Sequence, residues 1–399
     1  MFTSLYVNRR RGYSILRKAR PVTKRQVSLL SDSSEEDEWV GRGAGSPLSE
    51  VSDDSSSNLL DICKRDCDSR RSKRRKYGGL VIRTPNSSRF ANHLHSRILQ
   101  RFPFLVEMFY WALNYLFYAC TKAIAQSLSP PDVGVVRLAQ QHGIWVLKVE
   151  QTASIIRWFY PIRELDFQNF VLTRSPALMT FFNRIYSLVH IPATIAFLSW
   201  YYYVAPNHRS FSAVRRTMTM GNFAAFLTFC LWPCMPPRLL PESFGFHDTV
   251  RQEHAESVWV GGKNVNQLAA MPSLHFTYAF SIGCTFLWHS GIIQRVFVSP
   301  RERRPLAWTD FLLVALAVLY PMLVVSVIVA TANHYWMDAM VAIFTTALSF
   351  LCNRAWNVLL PLEDLLLWAW RLEKPTPTTG DRARGRRIAY PDIEYSAMA

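Results

Sequence analysis

Four ionisable side chains of this 399-residue chain lie at the ends of long apolar stretches, in three short clusters. Arg238 sits in CLWPCMPPRLLP, His275 in AAMPSLHFTYAF, and His334 and Asp338 in ATANHYWMDAM. Residues four apart share a helix face, so Asp338 can accept a hydrogen bond from one imidazole nitrogen of His334. That contact fixes the tautomer and leaves the other nitrogen as nucleophile or base. The same pair also suits helix capping. With His275 it offers a metal-ligand set, although no HExxH-type spacing supports a metal. Ser273, after Pro272, is placed as a helix N-cap, and exposed amides at such a start welcome a phosphate. Arg238 taken alone reads as an interface anchor. Beside two histidines it reads as a clamp for phosphate oxygens. Together these are the parts for phosphoryl transfer through a histidine: nucleophile, orienting carboxylate, second acid–base group and cation.

The elements that must hold these residues are membrane helices. A spanning helix needs about 20 mostly apolar residues. Windows free of Asp, Glu, Lys and Arg run over 185–208, 217–237, 264–294 and 311–332, with a fifth from Asp338 to Asn353. A sixth, 104–126, carries Glu107 and Lys122 only near its ends. The expectation is an all-α, polytopic membrane helix bundle of about six transmembrane helices. Arginines in the short 205–217 and 290–307 loops, and basic residues in both tails, put those regions on the cytosolic side. The three clusters then fall on the opposite face. The 127–180 segment lies there too, and its pattern of Ile144, Leu147, Ile155, Ile156, Trp158 and Phe159 suggests interfacial helices.

Overall composition hides this division. The net charge is +16 with 50% hydrophobic residues, which alone describes a basic soluble protein. Residues 1–100, however, hold 20 Lys/Arg and 11 Asp/Glu. The rest is charge-poor and rich in aromatic residues, which soluble domains are not. The domain expectation is a disordered, charged cytosolic tail over 1–100, a transmembrane domain over 101–370 and a cytosolic C-terminal tail over 371–399. The centre of the first tail, SLLSDSSEEDEWVGRGAGSPLSE, cannot bury enough surface to fold. Residues 1–31 are Arg-rich and acid-free, and read as cytosolic tail rather than signal or transit peptide. RRSKRRK (70–76) suits attraction to an anionic leaflet or plain solvation better than nucleic acid. Seven scattered cysteines, among them Cys63 and Cys67 in the tail, make neither a zinc pattern nor a disulfide framework.

The order PPRL, PSLH, HYWMD resembles the three signature regions of the phosphatidic acid phosphatase type 2 superfamily. It is similar above all to the branch of inositol phosphorylceramide synthases of the aureobasidin-resistance type, over roughly 140–355 and including VLKVEQ. The resemblance implies His334 as nucleophile, Asp338 as its partner, and His275 as the acid that protonates the leaving oxygen. Arg238 and Ser273 would bind substrate. No cofactor or metal is implied, and the partners are the membrane, a phospholipid and a lipid alcohol. It also implies an endomembrane location, Golgi or endoplasmic reticulum, with the site lumenal. Alternatives are a lipid phosphatase that uses water as acceptor, a catalytically silent family member, and a transporter or scaffold. Three positions depart from the pattern. Leu231 stands where a Lys is usual, Leu274 replaces a Gly, and Val327–Ile328 replace Ser-Arg. Lys263, Arg251 and the amides of Asn264, Asn266 and Asn333 are the groups left to compensate.

Overall fold

The computed structural model describes residues 2–11, 13–16, 72–77, 79–128, 133–153, 158, 160–249, 268–297 and 305–380. Their order is α1 (Phe2–Val7), β1 (Lys73–Tyr77), β2 (Leu80–Thr84), α2 (Leu94–Arg101), α3 (Phe104–Leu128), α4 (Val133–Thr152) and α5 (Glu164–Arg174). There follow α6 (Pro176–Arg184), a π-helical turn at Ile185–Val189, α7 (His190–Val204) and α8 (His208–Leu231). The last elements are α9 (Leu274–His289), α10 (Trp308–Ala330), α11 (Trp336–Leu351) and α12 (Leu360–Ala369). The acidic centre of the first tail, Cys63 and Cys67, Ile155, Ile156 and Phe159 lie outside the described residues, as do Lys263, Arg251, Asn264 and Asn266.

The chain divides into two compact units. One contains Leu5–Glu107 and Trp356–Thr378. Here the basic run is not simply solvated. It forms the antiparallel pair β1–β2, with Lys73 opposite Thr84 and Arg75 opposite Ile82. Strand alternation turns Lys73, Arg75 and Tyr77 to one face. Lys73 Nζ and Arg75 Nε reach the buried carboxylate of Asp364 at 3.2 and 2.9 Å, and Thr84 Oγ1 donates to it at 2.9 Å. The Tyr77 hydroxyl donates to the Asn357 carbonyl.

The larger unit spans Met108–Ala355 with the extreme N-terminal residues and Thr379–Ala399. Two helical stretches here are long and apolar enough to cross a membrane, Pro176–Val204 and Trp308–Ala330. Trp336–Leu351 qualifies only when joined to Asn353–Ala369. Among the described residues the count is therefore two, or three with that pair, and the expected six are not confirmed. The reason is visible in α9: its window of 31 charge-free residues yields a helix of 16. At 1.5 Å per residue that is about 24 Å, short of a bilayer's roughly 30 Å of hydrocarbon. Likewise α8 carries Arg209, Arg215 and Arg216 in its first half.

Helices α9, α10 and α11 share one buried cluster, with Ala279 against Ile328, Val329, Ala339 and Ala342. Close approach of α9 to α10 requires Gly283, where a Cβ would lie 2.6 Å from the Ala317 carbonyl. A second cluster packs α4 residues Ala139, Val146 and Leu147 against Cys234, Met271 and Tyr335. That cluster underlies all three sequence motifs.

Candidate active site

Backbone hydrogen bonds sew the three motifs together. The Cys234 amide donates to Leu268 and the Ala270 amide returns to Cys234, an isolated parallel bridge between the first two motifs. The Met235 amide donates to Ala139, and the Met235 carbonyl accepts the Tyr335 hydroxyl at 2.7 Å. The Arg238 amide donates to the Ala332 carbonyl at 3.0 Å. Ala332 holds φ 52°, the left-handed region that L residues seldom adopt. It turns the chain between α10 and α11 so that His334 follows within two residues.

His334 is buried. Its Nδ1 lies 2.7 Å from the Ala270 carbonyl and 3.1 Å from Asp338 Oδ2. Both partners are acceptors, so Nδ1 carries the proton and Nε2 is left with its lone pair. The tautomer anticipated from the i, i+4 spacing is thus enforced twice, once by a carboxylate and once by the main chain. Asp338 Oδ2 also accepts the Tyr335 amide at 3.0 Å, closing the first turn of α11. Its Oδ1 is buried with no hydrogen-bond partner.

Ser273 caps α9 as its position suggests, its Oγ accepting the Phe276 amide at 3.4 Å. The hydroxyl is fully buried. His275, in the first turn of α9, places its ring centre 6.1 Å from that of His334. Two rings that the sequence reading passed over flank it. Tyr186 stacks at 4.4 Å and His190 lies at 4.4 Å, both supplied by the π-helical turn and the start of α7. Single π turns inside helices recur at functional sites. Both residues fall in the charge-free window 185–208, and a count of charged residues treats Tyr and His as filler. The His190 Nδ1 is buried without a hydrogen-bond partner.

Arg238 is about 10% exposed and pairs with Asp248 at 2.9 Å, while its Nε is buried and unpartnered. Its charge reaches Tyr186, the residue stacked on His275. Asp248 was not foreseen. Of the compensating groups, Asn333 is committed elsewhere: its Nδ2 donates to Thr331 Oγ1 at 2.7 Å. Among the described residues, no group of three or more His, Cys, Asp or Glu is placed to hold a metal ion, so the metal reading of His275, His334 and Asp338 gains nothing from their placement.

Two further acids close the site from below. Glu150 Oε1 accepts the Met337 amide at 2.6 Å and Glu164 Oε1 the Trp336 amide at 3.3 Å. Burial and the neighbouring Glu164 carboxyl push the Glu150 carboxyl up to about 11. Burial also raises the Cys234 thiol and the Tyr335 phenol.

Residues 133–299 match the family model of the PAP2 superfamily. Arg238, Ser273 and His275 lie within the matched region, while His334 and Asp338 follow it. No curated protein and no solved structure matches the chain.

Proposed function

We propose that this protein is an integral membrane lipid phosphotransferase of the inositol phosphorylceramide synthase kind, working through a phosphohistidine on His334. Phosphatase and phosphotransferase chemistry on lipid phosphates in membranes is what the PAP2 superfamily suggests. The choice of inositol phospholipid and ceramide rests on the resemblance of the three motifs, and one observation supports the histidine chemistry. Nδ1 of His334 is doubly engaged, leaving Nε2 bare, and the second histidine ring stands 6.1 Å away. That separation, centre to centre, lets an attacking nitrogen and a proton donor reach the same substrate group.

In the first half-reaction His334 Nε2 attacks the phosphorus of a phospholipid such as phosphatidylinositol. The bond from phosphorus to the diacylglycerol oxygen breaks as His275 gives that oxygen a proton. Arg238 balances the charge on the equatorial oxygens, displacing its Asp248 partner. In the second half-reaction the hydroxyl of a ceramide gives its proton to His275 and attacks phosphorus. The P–N bond breaks and His334 regains its lone pair. No metal or organic cofactor enters the scheme. We place the site on the lumenal face of a Golgi or endoplasmic reticulum membrane with both termini cytosolic, a reading that rests on the arginine-bearing loops together with the six charge-poor windows of the sequence. The 1–100 and 371–399 segments are, on this reading, cytosolic tails flanking the catalytic domain.

The test is purified full-length protein with phosphate-labelled phosphatidylinositol, with and without ceramide. Label should move into a ceramide-bearing lipid, and His334→Ala should abolish the transfer. Label appearing as a free water-soluble phosphate, whether or not ceramide is present, would make the protein a phosphatase. Full transfer by His334→Ala would overturn the mechanism.

A further inference from the structure

Three carboxyl groups from three separate parts of the chain meet the first turn of α11. Asp338 takes the amide of Tyr335, Glu164 that of Trp336 and Glu150 that of Met337. A helix leaves its first amides without partners of its own, and three consecutive ones are satisfied here. Two of those acceptors come from 172 and 187 residues away. The turn they hold begins at the residue after His334. Any rotation of this turn moves Asp338 and with it the Nδ1 contact of the histidine.

All three acids are buried, at 7, 5 and 0% exposure for Glu150, Glu164 and Asp338. Glu150 Oε2 is buried with no donor of its own, and the Glu164 carboxyl is near enough for one proton to bridge the two side chains. Two carboxyl groups in such contact hold one proton between them, because two adjacent buried anions are too costly. The ionisable groups acting on Glu150 are Glu164 on α5 and Asp338 on α11, and Glu150 in turn acts on Tyr335 in the turn before α11, Cys234 after α8 and Tyr160 ahead of α5.

We propose that Glu150 and Glu164 form a proton-sharing pair that positions the His334–Asp338 dyad, holding the Trp336 and Met337 amides so that His334 stays in its Nδ1–H form. This rests on His334 being the nucleophile, since only then does its tautomer bear on turnover. Neither acid touches substrate. The burial that raises the Glu150 carboxyl agrees with a protonated member of the pair.

The experiment is nitrogen NMR of the full chain with 15N-histidine, without substrate, in wild type, Glu150→Gln and Glu150→Ala. The His334 signals are assigned by their loss in His334→Asn. Nitrogen shifts distinguish the two neutral tautomers directly. Glutamine reproduces a protonated glutamate, with a carbonyl to accept the Met337 amide and an amide to donate to Glu164. Wild type and Glu150→Gln should both show the Nδ1–H pattern, and Glu150→Ala a mixture of tautomers. Should Glu150→Ala not fold, Glu150→Asp, which falls short of the Met337 amide, serves in its place with the same expected mixture. A pure Nδ1–H pattern in Glu150→Ala or Glu150→Asp overturns the proposal, as does a mixture in Glu150→Gln. A role confined to overall stability would change the yield of folded protein without changing the tautomer of His334. Trapping labelled phosphate on His334 by acid-free quench is a separate measurement. Its failure would strike the functional reading and leave the tautomer result standing.

Discussion

Gly143 lies in the middle of α4, where a helix ordinarily gains about 1 kcal/mol from alanine in place of glycine. The structure reverses that sign. A Cβ at this position would stand 2.6 Å from the Tyr335 hydroxyl oxygen and 2.7 Å from the Met235 carbonyl oxygen. The second of these is backbone and cannot swing aside. Tyr335 is fully buried, and its hydroxyl donates to that same Met235 carbonyl. Relief would require either moving the Met235 segment or driving the phenol off its acceptor. Overpacking costs about 1–3 kcal/mol, and a buried polar group without its partner about 1–3 kcal/mol more. Set against the gain in helix propensity, Gly143→Ala should destabilise the protein by about 1–5 kcal/mol. Denaturant unfolding in detergent, followed by tryptophan fluorescence, measures this. A second arm uses Tyr335→Phe, which removes the nearer clash. The double variant should lose less stability than the two single variants together. Gly143→Ala that is neutral or stabilising would refute the contact between α4 and the first and third motifs.

Asp338→Asn keeps the shape but weakens the hold on the His334 Nδ1 proton. Because the Ala270 carbonyl still accepts that proton, transfer should fall about 10²–10³-fold, less than the roughly 10⁴-fold seen when a triad loses its only orienting carboxylate. Steady-state transfer of labelled phosphate reports it. Glu150 gives a pH dependence. Its folded value, about 11, lies above the unfolded 4.5, so the folded state keeps a proton that the unfolded state gives up between those limits. Its contribution is complete below about pH 4.5 and is lost as pH rises toward 11. Wild type should therefore lose stability relative to Glu150→Gln as pH goes from 6 to 9, by at most about 1.4 kcal/mol per pH unit; melting curves across that range check it, and a constant gap between the two refutes it. Asp364→Asn leaves Lys73 and Arg75 facing a neutral group. With both cations partly solvated, a cost of about 1–2 kcal/mol is expected, read as faster tryptic cleavage within 73–84.

Much of the site was legible because its chemistry is local. His334 and Asp338 declare themselves by spacing, and Ser273 by its place ahead of α9. Glu150 and Glu164 do not, since they meet α11 across more than 170 residues of chain and sit in segments that read as interfacial helix. Tyr186 and His190 were hidden because a charge count sees a span where a ring cluster also lies. For the fold, helices were foreseen at nearly every apolar window, yet a charge-free window overstates helix length wherever proline and turn residues occupy its ends, as MPS does before α9. The β1–β2 hairpin escaped for a different reason. Four basic residues in five signal solvent, and only the distant Asp364 makes one face of that strand a buried one.

The carbonyl of Ala270 has a consequence for how such a site tolerates change. It holds the His334 imidazole at 2.7 Å, closer than the carboxylate does, and it belongs to no side chain. Replacing position 270 with another small residue leaves that acceptor where it was, so scanning mutagenesis would score it as inert. Only a change in the path of the main chain, through the Cys234 bridge that fixes it, can withdraw it. Half of the nucleophile's orientation is therefore inherited from the course of the polypeptide rather than from the side chain at position 270.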